Sequence, residues 1–184
     1  MRTCLCAVFL LVSSAIASSP PVTFLDPQGI QYDPFGTRQA HVLVFVRTDC
    51  PITNRYAPEL GRIKTEFKER PVDFWLVYSD RSQQAAEVLR QIDDFHLPGT
   101  ALLDPTQALA HLARATVSPQ AAVFDERGRL TYSGRIDDRV AELGKVRATA
   151  STHDLEKAIA DTLAHRPVAH PQTRAIGCFL ADVQ

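Results

Sequence analysis

The chain lacks an excess of charge of either sign. Its 184 residues carry 20 basic and 21 acidic side chains, a formal net charge of -1. Binding nucleic acid through its phosphates needs a basic face, and this balance argues against one. The chain has no repeat and no low-complexity tract. Nor has it a good membrane span: "CLCAVFLLVSSAIA", Cys4 to Ala17, falls short of the ~20 apolar residues that a spanning helix needs.

Cysteine is scarce as well, with four in the chain. Cys4 and Cys6 lie in that N-terminal apolar run. The positive start at Met1-Arg2, the run itself and the small-x-small site Ala15-Ile16-Ala17 have the pattern of a signal peptide, residues 1–17. Cleavage is expected after Ala17, giving an exported, periplasmic or extracellular protein with no membrane span after processing. Cys50 and Cys178 then remain. Export implies a compartment where disulfides form, so a structural bridge between them is the plainest reading. None of the six histidines, His41, His96, His111, His153, His165 and His170, forms a close ligand pair with a cysteine in sequence. No metal site and no cofactor is expected on that ground.

The apolar residues that are present set out an alternating fold. Val42 to Val46 is an unbroken β-branched and aromatic run, as in a strand buried on both faces of a parallel sheet. After Cys50, Ile52, Tyr56, Leu60, Ile63 and Phe67 recur at helical spacing. Pro51 suits the first helical position, while Pro58 inside the helix should kink it. Val72 to Tyr78 reads as a second buried strand. A helix with Val88, Leu89, Ile92 and Phe95 on one face follows, and "TALLD" is a short third strand. Asp104-Pro105 reads as an N-cap and first turn leading a short helix with Leu109 and Leu112. "QAAVFDERGRLTYSG" reads as a hairpin turning at Glu126-Arg127-Gly128. Ser151 to Ala164 is a last amphipathic helix, with Ser151 and Asp154 resembling a capping box. Crossover helices early and an antiparallel pair late give an α/β fold, a central mixed β-sheet flanked by helices on both faces.

Cys50 falls between the C-terminal end of a strand and the N-terminus of a helix. Reactive groups gather at this edge of α/β sheets. The unpaired N–H groups and positive end of the helix stabilise a thiolate there, which marks Cys50 as a nucleophile. Arg47 and Arg55 should help, and Asp49 should oppose.

The stretches "VLVFVRTDCPITNRYAPEL" and "TVSPQAAVFDERGRLTYSGRID", with the element order, resemble the thioredoxin-like superfamily. The branch is the redoxin group, similar to alkyl hydroperoxide reductase/thiol-specific antioxidant proteins and to exported thiol-disulfide oxidoreductases. The resemblance implies a thioredoxin-like domain over residues 18–165, followed by a Pro-rich arm, 166–184, carrying Cys178. It implies a nucleophilic Cys50 and a cis-Pro119 facing it. Ser118, Pro51 and Arg47 would then meet the substrate. The chain departs from the Cys-x-x-Cys pattern of thioredoxins, since Thr53 occupies the resolving position. A hydroxyl can hydrogen-bond a thiolate but cannot form a disulfide. Arg47, three residues before Cys50, also departs from the Thr or Ser of peroxiredoxins.

Three relations of Cys50 to Cys178 stay open at this stage: a redox pair, a permanent bridge, or no pairing. The functional expectation is thiol–disulfide exchange in which Cys50 attacks and Cys178 resolves. The partners would be protein thiols or disulfides and an unidentified electron donor or acceptor. The alternatives are a peroxiredoxin-like peroxidase and a non-catalytic binding or metal-ligating module.

Overall fold

A computed structural model describes residues 23–180. The expected signal segment, 1–17, and the end of the arm, 181–184, lie outside the described residues. The strands are β1 (Phe24–Leu25), β2 (Gln31–Tyr32), β3 (Ala40–Phe45), β4 (Val72–Tyr78), β5 (Thr100–Leu103), β6 (Val117–Ser118), β7 (Gln120–Asp125), β8 (Leu130–Gly134), β9 (Val140–Glu142), β10 (Lys145–Val146) and β11 (Cys178–Phe179). The helices are α1 (Pro51–Glu66), α2 (Ala85–Phe95), α3 (Ala108–Ala113) and α4 (Asp154–Leu163).

The main sheet runs β2-β1-β5-β4-β3-β7-β8. Strands β3, β4 and β5 are parallel, and β7 and β8 join antiparallel beside β3. Every residue of β3 and of β7 is buried, which is why β3 shows no polar alternation. The period of two divides β3 between the faces. Val42 and Val44 pack with Tyr56, Leu60 and Ile63 of α1, Val88 of α2 and Leu155 and Ile159 of α4. Leu43 and Phe45 pack with Trp75, Leu102 and the α3 residues Leu109 and Ala113. The sheet is therefore mixed and covered on both faces, as the sequence pattern implies.

Several local expectations do not hold. Ser151 and Asp154 form no capping box. Asp154 is the first residue of α4, and its Oδ2 accepts from Thr152 Oγ1 at 2.8 Å and Arg135 Nε at 2.8 Å. The backbone N–H groups of Ser151 and Thr152 instead donate to Asp138 Oδ1. Asp104 is not the N-cap of α3, a position held by Gln107. Its buried carboxylate reaches into the helix start and accepts from Ala110 N at 3.1 Å and Ser79 Oγ at 3.0 Å. On α2, Leu89 and Phe95 are exposed, and the buried positions are Val88 and Gln91. Gln91 is drawn inward by three polar partners, Tyr78 Oη, Asn54 Oδ1 and the Arg47 carbonyl.

His41 in β3 is fully buried, with Nδ1 3.3 Å from Asp73 Oδ2. Burial holds its pKa below the usual histidine value, although Asp73, Asp33 and Asp125 pull the other way. The fold thus favours neutral His41, and the unfolded chain takes the proton more readily. Stability from this group is complete above the unfolded value of about 6.5 and is lost as pH falls below it. Urea midpoints measured from pH 8 to 5 should drop more steeply for the native chain than for His41→Phe. Equal slopes would remove His41 from the pH response.

Candidate active site

Strand β3 ends at Phe45 and α1 begins at Pro51, the first helical residue as expected. Cys50 is the N-cap, in extended conformation, and its side chain makes no capping bond. Cys50 is 0% exposed, and its Sγ lies 3.1 Å from the Ser118 carbonyl oxygen. Thr53, also buried, brings Oγ1 to 2.8 Å from Ser118 Oγ. The Ser118-Pro119 peptide bond is cis.

The second sulfur arrives on the arm. Beyond α4 the chain returns along β8, where Ser133 N donates to Pro171 O at 2.9 Å and Thr173 N to Ser133 O at 3.2 Å. Thr173 Oγ1 accepts from Arg135 N at 3.1 Å and lies 2.6 Å from Tyr132 Oη. Strand β11 then pairs antiparallel with β6, Cys178 opposite Ser118 and Phe179 opposite Val117. Arg47 Nη1 donates to Phe179 O at 2.9 Å, and Leu180 buries its side chain in the core beneath β3. This docking sets Cys178 Sγ 2.7 Å from Cys50 Sγ, both cysteines being free thiols.

Gly177 matters here through close approach. A Cβ on it would collide with the Ser118 carbonyl, whose carbon would be 2.6 Å away. Gly134 makes a similar approach to Thr173, so each crossing of the arm uses a residue without a side chain.

The two sulfurs are electrostatically unequal. Burial works against a charged Cys50. Hydrogen bonds from the Cys178 thiol, from the backbone N–H groups of Thr53 and Cys178 and from the Thr53 hydroxyl outweigh it, so its pKa is lowered. The Cys178 thiol is pushed up to about 12 by burial and by its hydrogen bond to Cys50. The two thiols are coupled, and Cys50 gives up its proton more readily than Cys178.

The remaining expected site residues fall differently. Arg47 is engaged with Asp49 at 2.8 Å, with Asp80 at 3.4 Å and with the arm, so it clamps Cys178's strand rather than standing free for a substrate. Pro51 is exposed at the helix start. Ser118 and Pro119 do border an extended segment, and that segment is the chain's own β11. A groove of about 470 Å³ opens on the other side of Arg47, bounded by Asp80, Gln91 and Phe95. Among the described residues, a group of three potential metal ligands, Glu59, His153 and Glu156, includes neither sulfur, and Arg62 is ion-paired to both its carboxylates.

The family model described as Redoxin matches residues 18–147. The chain belongs to the Redoxin family. No curated protein matches its sequence. Among solved structures, an uncharacterized conserved protein from Geobacillus kaustophilus is 22% identical, with 87% of each chain covered and a TM-score of 0.71. A hypothetical protein from Sinorhizobium meliloti 1021 is 20% identical, covers 86% of this chain and 88% of its own, and also has a TM-score of 0.71. A secreted Mycobacterium tuberculosis disulfide oxidoreductase homologous to E. coli DsbE is 16% identical, with 79% of this chain and 96% of that one covered and a TM-score of 0.54. These likenesses show a thioredoxin-like fold for this redoxin. Among the described residues, no helix is long and apolar enough to cross a membrane.

Proposed function

We propose that this redoxin is an exported thiol–disulfide oxidoreductase that cycles the Cys50–Cys178 pair between dithiol and disulfide. The observation that carries the reading is the 2.7 Å separation of two free sulfurs at a strand-to-helix junction. The helix N–H groups and Thr53 favour a thiolate on Cys50, which is the nucleophile inside the pair. Cys178 supplies the second sulfur that Thr53 cannot. Partners are protein thiols or disulfides, consistent with the family and with the named activity of the M. tuberculosis protein. Export rests on the signal-like segment 1–17, and the domain is taken as 18–165 with the arm 166–184 as its working extension.

The test is equilibration in buffers of reduced and oxidised glutathione, with the products separated by mass. The intramolecular disulfide should form and be reduced reversibly, and either Cys→Ser change should abolish it. A structural bridge would have a potential below about −300 mV and resist reduction by glutathione. A protein that collects only glutathione adducts would refute the pair. A peroxidase cycle would use the same sulfurs, with Cys178 condensing onto a Cys50 sulfenic acid. Hydrogen peroxide consumption at rates matching disulfide formation would favour it over exchange.

A further inference from the structure

Access to the two sulfurs is unequal in a way that decides which of them meets a partner. Cys50 is 0% exposed and lies between α1 and the arm, whereas Cys178 is partly exposed on the outermost strand. Phe179 beside it is 79% exposed, an apolar surface next to the sulfur. Thr53 and Ser118, both fully buried, fill the space around Cys50. We propose that a partner thiol bonds to Cys178, and that Cys50 is the sulfur released. This rests on the redox-pair reading and reverses the order of attack expected from the sequence.

Thiol–disulfide exchange depends on access to the attacked sulfur and on the ease with which the other one leaves. Both point the same way. In the oxidised protein an incoming thiolate reaches Cys178 from solvent, while Cys50 is shielded. The Thr53 N–H and hydroxyl beside Cys50 stabilise a departing thiolate there, which makes it the better leaving group. The lone pair of the partner thiolate forms a new S–S bond to Cys178. The Cys50–Cys178 bond breaks, and its electron pair leaves on Cys50. A second, deprotonated thiol of the same partner then attacks the partner's own sulfur in the mixed disulfide. Cys178 departs as a thiolate, and Cys50 and Cys178 each take up a proton from water. The partner dithiol is oxidised by two electrons, and the protein ends as the dithiol seen in the structure. In the reverse direction Cys50 attacks Cys178 within the mixed disulfide and expels the partner.

Glutathione serves as the probe thiol. Oxidised native protein is mixed with it, quenched in acid at early times, alkylated, digested and mapped by mass spectrometry. Adducts on Cys178 should exceed those on Cys50 by at least about ten-fold. Equal or inverted adducts would overturn the order. A second measurement uses the single-cysteine forms and an aromatic disulfide reagent. Cys178 in Cys50→Ser should react at least about ten-fold faster than Cys50 in Cys178→Ser, because the docked arm still covers Cys50. The opposite ranking would overturn the proposal. If the native chain forms no internal disulfide, the pair reading itself fails. If it forms one and glutathione maps to Cys50, the order alone fails.

Discussion

Gly177→Val is expected to weaken the internal disulfide by at least about 100-fold, read as the equilibrium constant against glutathione. The native pair is held in bonding position by the β6–β11 pairing, and Gly177 sits where any Cβ would strike the Ser118 carbonyl. Valine therefore lifts the strand away. Cys178 then becomes a sulfur on a loose tether, whose effective concentration is of millimolar order rather than that of an aligned reactant. The same displacement uncovers Cys50, so its alkylation by iodoacetamide should accelerate at neutral pH. Leu180 leaves its core position with the displaced strand, so the urea midpoint should also fall. An unchanged equilibrium constant would show that Gly177 does not set the position of Cys178.

Asp137→Ala should cost about 3 kcal/mol of stability, seen as a lower urea midpoint with the slope unchanged. Asp137 is 1% exposed and takes three hydrogen bonds: Tyr56 Oη at 2.6 Å, Arg139 N at 2.9 Å and Arg139 Nε at 2.8 Å. Removing the carboxylate leaves the buried Tyr56 hydroxyl without its acceptor and Arg139 without its nearest counter-charge. Tyr56 stands in α1, six residues after Cys50, so the loss also loosens the helix that carries the site. Asp137→Asn retains an acceptor and should cost clearly less. Equal stability of native and Ala forms would mean that water replaces the carboxylate in full.

What could be read in the sequence was what local chemistry determines. The unbroken run Val42–Val46 announces a strand covered on both sides, and β3 is one. Pro51 marks the helix start, so the place of Cys50 at the strand-to-helix junction follows from neighbours in sequence. The hairpin turn is equally local: Gly128 has φ +69°, and Asp125 Oδ1 accepts from Arg127 N and Arg129 N. The cis bond at Pro119 came from resemblance, not from the residues themselves. The hairpins β1–β2 and β9–β10 passed unnoticed because strands of two or three residues show no alternation. The Ser151 cap failed because Asp138, thirteen residues earlier, takes that backbone N–H. Nothing near Arg47 in sequence reveals its contact with Phe179, 132 residues away. The arm itself has no regular pattern to read, since its course is set by Gly134, Gly177 and the pocket for Leu180.

The last strand of the main sheet, β8, ends one side of it and has β7 on the other. Its free side would offer unpaired backbone groups to any extended chain, but Ser133 gives both its N–H and its carbonyl to the arm at Pro171 and Thr173. The segment that delivers a sulfur therefore also caps the sheet margin. Trimming the chain before Pro171 would leave Ser133 and its neighbours open to strand addition from a second molecule. Such a truncated form should self-associate with rising concentration, making colloidal solubility, alongside redox chemistry, a property that the arm controls.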